Sequence, residues 1–169
     1  MAIAYGSHVS SQPRWRRVLL RIAASRFGSW YFLNVANRID RWLVPATRGR
    51  LSSAPGQNVC VLETVGAKSG QRRRAPLQYA TDGDDLVVIA SSGGAPKHPA
   101  WFHNVRKNPE LWVWANRGRS GDYVARVVEE GEERERLWKI ATDLYPGYDT
   151  YQERAGDRRI PVVTLSPKR

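Results

Sequence analysis

The sequence predicts an α+β fold: a small, mostly antiparallel β-barrel with helices packed on it and a helical arm in front. Three observations predict it. Short runs rich in β-branched and aromatic residues recur from residue 58 onward, with turn residues between them. Several consecutive runs are joined by only a few residues, which antiparallel neighbours permit and parallel ones do not. The helical patterns are too few to alternate with the strands, which argues against a βαβ unit.

Each element has its own signal. Residues 1–13, MAIAYGSHVSSQP, are small and polar and read as a loose tail. Residues 14–45 set arginines among apolar residues at helical spacing. Trp15, Val18, Leu19, Ile22 and Ala23 share one stripe; after Gly28–Ser29 it resumes with Trp30, Leu33, Ala36 and Asn37 and runs toward Asp40–Leu43. Pro45 is the expected stop, so the arm is one kinked helix or two. Residues 46–57 read as a loop. Strands follow at 58–65, 73–81 and 86–91, with turns GAKSGQ and DGDD. SSGGAPKHP breaks the strand pattern, and Pro99 opens a short helix over 100–108. ELWVWAN and DYVARVVE flank RGRSG as a hairpin. GEERERLWKIATDLY (131–145) is an amphipathic helix with its acids in the first turn, where the helix dipole favours them. RIPVVTLS (159–166) is the last strand.

Composition bounds the function. The chain has 169 residues and a net charge of +11. Residues 1–50 hold nine arginines and one acid, Asp40, so most of that charge belongs to the arm. The division predicted is a basic amphipathic arm at 1–50 and a barrel domain at 51–169. A basic, Trp-rich amphipathic helix lies on an anionic membrane surface or packs on its own domain. Nucleic-acid binding is disfavoured, because no binding motif accompanies the arm and the barrel is close to neutral. The single cysteine, Cys60, excludes an internal disulfide, and the three histidines lack metal-site spacing. No signal peptide stands out, and the charge-free N-terminal run 27–37 is too short to span a bilayer. A cytoplasmic protein is expected, peripheral on the inner face of the membrane if the arm binds it.

Three segments carry candidate chemistry. Gly66–Pro76, GAKSGQRRRAP, fails as a phosphate loop, since Ala67 precedes Lys68 and Leu62 stands where the first glycine belongs. A solvated turn and an anion nest both remain open for it. Strand alternation puts Arg73 with Ala75 on one face, and Arg72 with Arg74 on the other. In SSGGAPKHPAWFHN (91–104), adjacent glycines let a flat ring or phosphate approach the backbone, and Trp101 is core or a pocket wall. In LYPGYDTYQ (144–152), Tyr145, Tyr148 and Tyr151 recur at a spacing of three, on a turn or short helix. They pack, or they form a substrate wall whose phenols donate hydrogen bonds or a proton.

These segments, in this order, resemble a known family. Gly66, Lys68, Ser69, Gly70, Arg73, Pro76 and Leu77 fit G-x-K-S-G-x-x-R-x-x-P-L. Ala90, Ser91, Gly93, Gly94, Pro99, Trp101 and Asn104 fit a second motif; Tyr145, Pro146, Tyr148 and Tyr151, then Arg158, Ile160, Pro161 and Val162, complete the set. Together, over roughly 58–166, they look like the deazaflavin (coenzyme F-420)-dependent nitroreductases of actinobacteria. The resemblance implies a split β-barrel related to flavin-binding reductases. It implies hydride transfer from reduced F-420 to a small acceptor: a quinone, an activated enone or a nitro-aromatic. Lys68, Ser69, Gly70 and Arg73 would bind the acidic tail or phosphate beside Pro76. Ala90, Ser91, Gly93, Gly94, Trp101 and Asn104 would hold the deazaflavin. Tyr148 or Ser91 would be the donor to the acceptor, with Tyr145 and Tyr151 beside it. Ser92 stands where some members have lysine, and Gln78 where an aromatic can stand. A carrier without catalysis, or a split-barrel protein using FMN or haem, is the alternative. The acceptor's identity and the oligomeric state stay open.

Overall fold

The computed structural model describes residues 35–168 except Pro55. The tail and most of the arm, with its stripe from Trp15 to Leu33, lie outside the described residues. Helix α1 spans Asn37–Ala46. Strands β1 (Val59–Val65), β2 (Arg72–Gln78), β3 (Ala80–Asp82) and β4 (Asp85–Ile89) follow. A 3-10 turn at Ser92–Gly94 leads to α2 (Ala100–Lys107). Then come β5 (Glu110–Ala115), β6 (Gly121–Val128), α3 (Glu132–Leu144), α4 (Gly147–Arg154) and β7 (Val162–Pro167).

All pairings are antiparallel, in one sheet ordered β2-β1-β5-β6-β7-β4-β3. The two edge strands, β2 and β3, are separated in sequence by Tyr79 alone. One residue spans only about 3.5 Å, so the sheet curls until its edges stand side by side. That makes a barrel, and it is split because no ladder joins β2 to β3 among the described residues.

The run 73–81 is therefore two strands and not one. Tyr79 is buried, its N–H donates to the Asn58 carbonyl (3.1 Å) and its phenol bonds the Asn116 side chain. Those contacts turn the chain from one edge to the other, which a period-2 pattern cannot signal. One further difference is local: Pro45 does not stop α1, which runs one residue on to Ala46. The tyrosine segment is a short helix, α4, which carries Tyr148 and Tyr151 and is preceded by Tyr145.

Alternation along each strand divides the core. Cys60 and Leu62 on β1, Leu86 and Val88 on β4, and Val163 and Leu165 on β7 point into the barrel. From α2, Trp101, Phe102 and Val105 join this core. On the outer side, Val59 and Val61 pack under Val44 of α1. Val87, Ile89 and Val162 pack under Leu137 and Ala141 of α3 and the three tyrosines. The apolar positions read from the strand pattern thus serve two layers.

Candidate functional site

A cavity of about 1250 Å³ opens between α1, β2 and the 66–69 turn on one side and the Ser91–Gly93 turn, α2 and α4 on the other. Its two ends differ in character. One is cationic, with Arg38 and Arg41 of α1, Lys68, and Arg73 and Arg74 of β2. The other is aromatic, with Trp101, Tyr145, Tyr148 and Tyr151.

The cationic end begins with the turn that joins β1 to β2. Gly66 N–H donates to Gln71 O (2.9 Å) and Gly70 N–H to Gly66 O (2.9 Å), closing a tight loop. Gly70 adopts φ +67, and a side chain there would meet nothing, so its glycine serves the backbone and not space. Its N–H is committed to the turn, and it does not reach the cavity, whereas Lys68 and Ser69 do. Asn104 of α2 braces the turn from below. Its Oδ1 accepts from Ala67 N–H (2.9 Å) and its Nδ2 donates to Thr64 Oγ1 (3.0 Å). Lys107 Nζ adds a bond to Ala67 O (2.7 Å). Asn104 lines the cavity, but its amide mainly fixes the loop that carries Lys68.

Strand alternation predicts that only one of Arg73 and Arg74 reaches the ligand site, but both line the cavity, with different partners. Arg74 lies opposite Glu63 in the β1–β2 ladder, pairs with it through Nε (2.7 Å) and stacks on Trp42 (5.2 Å). Arg73 keeps only Gln71 Oε1 (2.8 Å). Elsewhere on the surface, Arg126, Arg136 and Arg159 sit on carboxylates. Among the described residues Arg38, Arg41, Lys68 and Arg73 have no acidic partner. Asp40, between the two α1 arginines, also lines the cavity; it is buried and accepts from Ser53 N (2.6 Å) and Oγ (2.7 Å). Against this one acid stand the five lining cations, so the cavity carries net positive charge, the condition for drawing in an anion.

At the aromatic end the three tyrosines form one cluster. Their ring centroids lie 5.2, 5.9 and 6.2 Å apart, and the hydroxyls of Tyr145 and Tyr151 are 3.0 Å apart. Burial is the first cause that pushes the phenols of Tyr145 and Tyr148 above the usual tyrosine range, so both stay protonated. The Tyr148 hydroxyl has no hydrogen-bond partner among the described residues. Ser91, Ser92 and Gly93 face this end. Ala90 is fully buried in the barrel, and Gly94, at φ +82, packs against Tyr151 and Arg154 of α4; neither lines the cavity. Pro76 and Leu77 complete the β2 wall. Sequence reasoning did not single out Arg38 and Arg41 as cavity residues. Their only signal was a position one helical turn apart, beside a buried acid. Among the described residues no cluster of three metal-binding side chains occurs.

Comparison with known proteins agrees with this geometry. The family model described as F420H(2)-dependent quinone reductase matches residues 36–167. A quinone reductase of that description from Mycobacterium tuberculosis is 37% identical over 118 residues, covering 69% of this chain and 77% of that protein. Among solved structures, the F420-H2 dependent reductase FDR-A is 41% identical, with a TM-score of 0.57, covering 64% of this chain and 93% of that one. A chain described as a domain-swapped dimer is 37% identical, with a TM-score of 0.61, covering 76% and 94%. The barrel, its cavity and these matches agree: the chain belongs to the F420H(2)-dependent quinone reductase family, oxidoreductases whose hydride donor is coenzyme F-420.

Proposed function

We propose that the chain reduces a quinone inside this cavity, with the cationic end holding the acidic tail of F-420 and the tyrosine end holding the acceptor. The observation that carries this reading is the joining of unpaired cations and protonated phenols in one cavity. The residues fit the cofactor. A phosphodiester and glutamate carboxylates need positive charge in excess of acids, and Arg38, Arg41, Lys68 and Arg73 supply it against Asp40 alone among the described lining residues. A flat ring needs backbone and aromatic walls, which Ser91, Gly93 and Trp101 supply. At about 1250 Å³ the cavity exceeds the usual 300–1,000 Å³ of a single-ligand pocket, as two ligands require.

Bound reduced F-420 supplies a hydride equivalent, the chemistry that amino-acid side chains lack. The chain's own residues do the rest. Lys68 and Arg73 bind and orient the tail, and the Asn104 brace keeps their loop in register. Tyr148 holds a proton at its hydroxyl and offers it to the acceptor oxygen that gains negative charge. Tyr145 and Tyr151, bonded to each other, keep that phenol packed and limit water. The experiment is anaerobic oxidation of reduced F-420, followed at its absorbance band, with menaquinone, enone and nitro-aromatic acceptors. Turnover with quinone supports the reading. Tight F-420 binding without turnover on any acceptor would leave a carrier, and preference for FMN would remove the cofactor assignment from this site.

Peripheral contact with an anionic membrane is part of the same proposal, since quinones are lipid-soluble. Among the described residues no helix is long and apolar enough to cross a membrane. Where α1 continues the arm, Ile39 and Trp42 are 47% and 66% exposed beside Arg38 and Arg41, the mixture an interfacial helix uses. Flotation with anionic liposomes should carry the full chain and leave behind a chain starting at residue 51, which lacks α1 as well as the segment before it; equal flotation would refute the contact.

A further inference from the structure

Arg158 lies outside the cavity wall, in the connection from α4 to β7, yet its guanidinium is spent on the Ser91–Gly93 turn. Nε donates to Ala95 O (2.8 Å), Nη2 to Ser91 O (2.8 Å) and Nη1 to Ala90 O (3.3 Å). Nη1 also meets His98 Nδ1 at 3.2 Å; arginine only donates, so this imidazole is neutral with its proton on Nε2. No carboxylate pairs with Arg158 among the described residues. The connection is itself anchored to α4: Gln152 Nε2 donates to Arg158 O (3.0 Å), and Ile160 N–H donates to Gln152 Oε1 (2.8 Å). A partly buried guanidinium satisfied by backbone carbonyls loses much hydration and gains no ion pair. Such a cation does little for stability that an apolar residue could not do. It does determine where backbone dipoles point.

In a trans peptide the C=O and the next N–H point in opposite directions. Drawing the carbonyls of Ala90 and Ser91 onto Arg158 therefore turns the N–H groups of Ser91 and Ser92 the other way. Ser91 and Ser92 line the cavity and Arg158 does not. The backbone angles agree. Ser91 is right-handed helical (φ −72, ψ −39), while Ser92 (φ 50) and Gly93 (φ 65, ψ 19) are left-handed. A right-handed residue followed by a left-handed one makes consecutive N–H groups converge on one concave spot, an anion nest. Ser92 is one of only three non-glycine residues with positive φ among those described. The N–H groups of Ser91, Ser92 and Gly93 donate to no acceptor among the described residues, whereas those of Gly94 and Ala95 return to Ser91 O and Ser92 O.

We propose that Arg158 is a positioning residue for the reaction: by pinning three carbonyls it builds a nest of the Ser91, Ser92 and Gly93 N–H groups for a charge-bearing ring oxygen. The inference rests on the proposed quinone reduction, because it gives that cavity its electrophilic wall. The oxygen belongs either to the deazaflavin ring or to the quinone. Both are conjugated carbonyl oxygens whose charge changes with redox state, and hydrogen-bond donors fixed in advance favour the charged form.

The test compares wild type with Arg158→Ala and Arg158→Lys, using a tail-less deazaflavin so that Lys68 and Arg73 take no part. If the nest serves the cofactor, Arg158→Ala weakens tail-less deazaflavin binding, read by fluorescence quenching, at least tenfold. If it serves the acceptor, that affinity holds while KM for quinone rises or kcat falls tenfold. Millimolar guanidinium should restore part of either loss in the alanine variant. Lysine, which cannot reach three carbonyls, should restore little. In the wild type, the amide NMR signals of Ser92 and Gly93 should move when tail-less deazaflavin or quinone is added; this measurement stands even if both variants fail to fold. A folded alanine variant with wild-type affinity, KM and kcat overturns the proposal. So do unmoved amide signals in a wild type that binds both ligands. A wild type that binds neither F-420 nor the tail-less deazaflavin sinks the cofactor assignment and this inference together.

Discussion

The hydroxyls of Tyr145 and Tyr151 are 3.0 Å apart and bond each other, which leaves Tyr148 as the member of the cluster without a hydroxyl partner among the described residues. Of the bonded pair, one phenol donates to the other and must break that bond to serve an acceptor; Tyr148 need not. Tyr148→Phe is therefore expected to lower kcat for quinone about 100-fold, the lower range for loss of a positioned acid. The ring contacts with Tyr145 and Trp138 remain, so KM for F-420 should hold within about twofold. Burial raises the Tyr148 phenol above its ordinary value, so its donor form persists above pH 10 and should cause no alkaline fall in kcat below that pH. Steady-state kinetics on Tyr148→Phe and Ser91→Ala check this; a loss confined to Ser91→Ala would move the donor role to the serine.

Lys68 and Arg73 face the cavity, and among the described residues neither has an acidic partner, so their charge is open to the proposed cofactor tail. Replacing both with alanine is expected to weaken F-420 binding by about 10- to 100-fold, as two charge-assisted contacts at a wet site would. Binding of tail-less deazaflavin should barely change. The wild-type affinity for F-420 should fall as salt rises, and less steeply in the double variant. Fluorescence titrations at two ionic strengths measure all of this, and equal losses for the two ligands would refute the tail contact.

The barrel was legible in the sequence because strand periodicity and short links determine it locally. The split at Tyr79 was not, because it depends on a buried phenol meeting Asn116 across the barrel. The site was legible in the same uneven way. Motif spacing singled out Lys68, Arg73, Ser91 and the tyrosines, all of which line the cavity; the pleat sent Arg74 elsewhere, whereas it pairs with Glu63 and still lines the cavity. Spacing could not show that Asn104 spends its amide on Thr64 and Ala67, nor that Arg158 reaches back more than 60 residues to the glycine turn. Both facts are long-range hydrogen bonds, and no local pattern encodes a partner so distant in the chain.

Gly94 tests how tightly the cofactor side is tied to the acceptor side. At φ +82, a Cβ there would come within 2.7 Å of Arg154 Cβ and 2.8 Å of Tyr151 O. Neither is the far end of a flexible side chain, so α4 must move. Gly94→Ala is expected to cost about 1–3 kcal/mol, which lowers Tm by several degrees in a chain of this size. The shifted α4 carries Tyr148 and Tyr151, so kcat should drop while tail-driven F-420 affinity persists. Differential scanning fluorimetry with kinetics reads both, and unchanged Tm and kcat would show that the turn and α4 are not rigidly packed.

Alkaline pH should loosen the barrel before it affects the cavity. Burial pushes the Cys60 thiol up to about 12 from an ordinary 9.0, and burial leads the rise of the Tyr79 phenol to about 12 from 10.0. In both groups the folded state keeps a proton that the unfolded chain releases. Each therefore contributes stability that is full below its unfolded value and is lost as pH climbs toward about 12. The fall should begin near pH 9 with Cys60 and steepen past pH 10 as Tyr79 joins. Cys60→Ala removes the first of these, so its Tm, though lower at pH 7 from the lost packing, should decline less between pH 9 and 10 than that of the wild type. Parallel Tm curves for the two chains over that interval would mean that another group governs the alkaline transition.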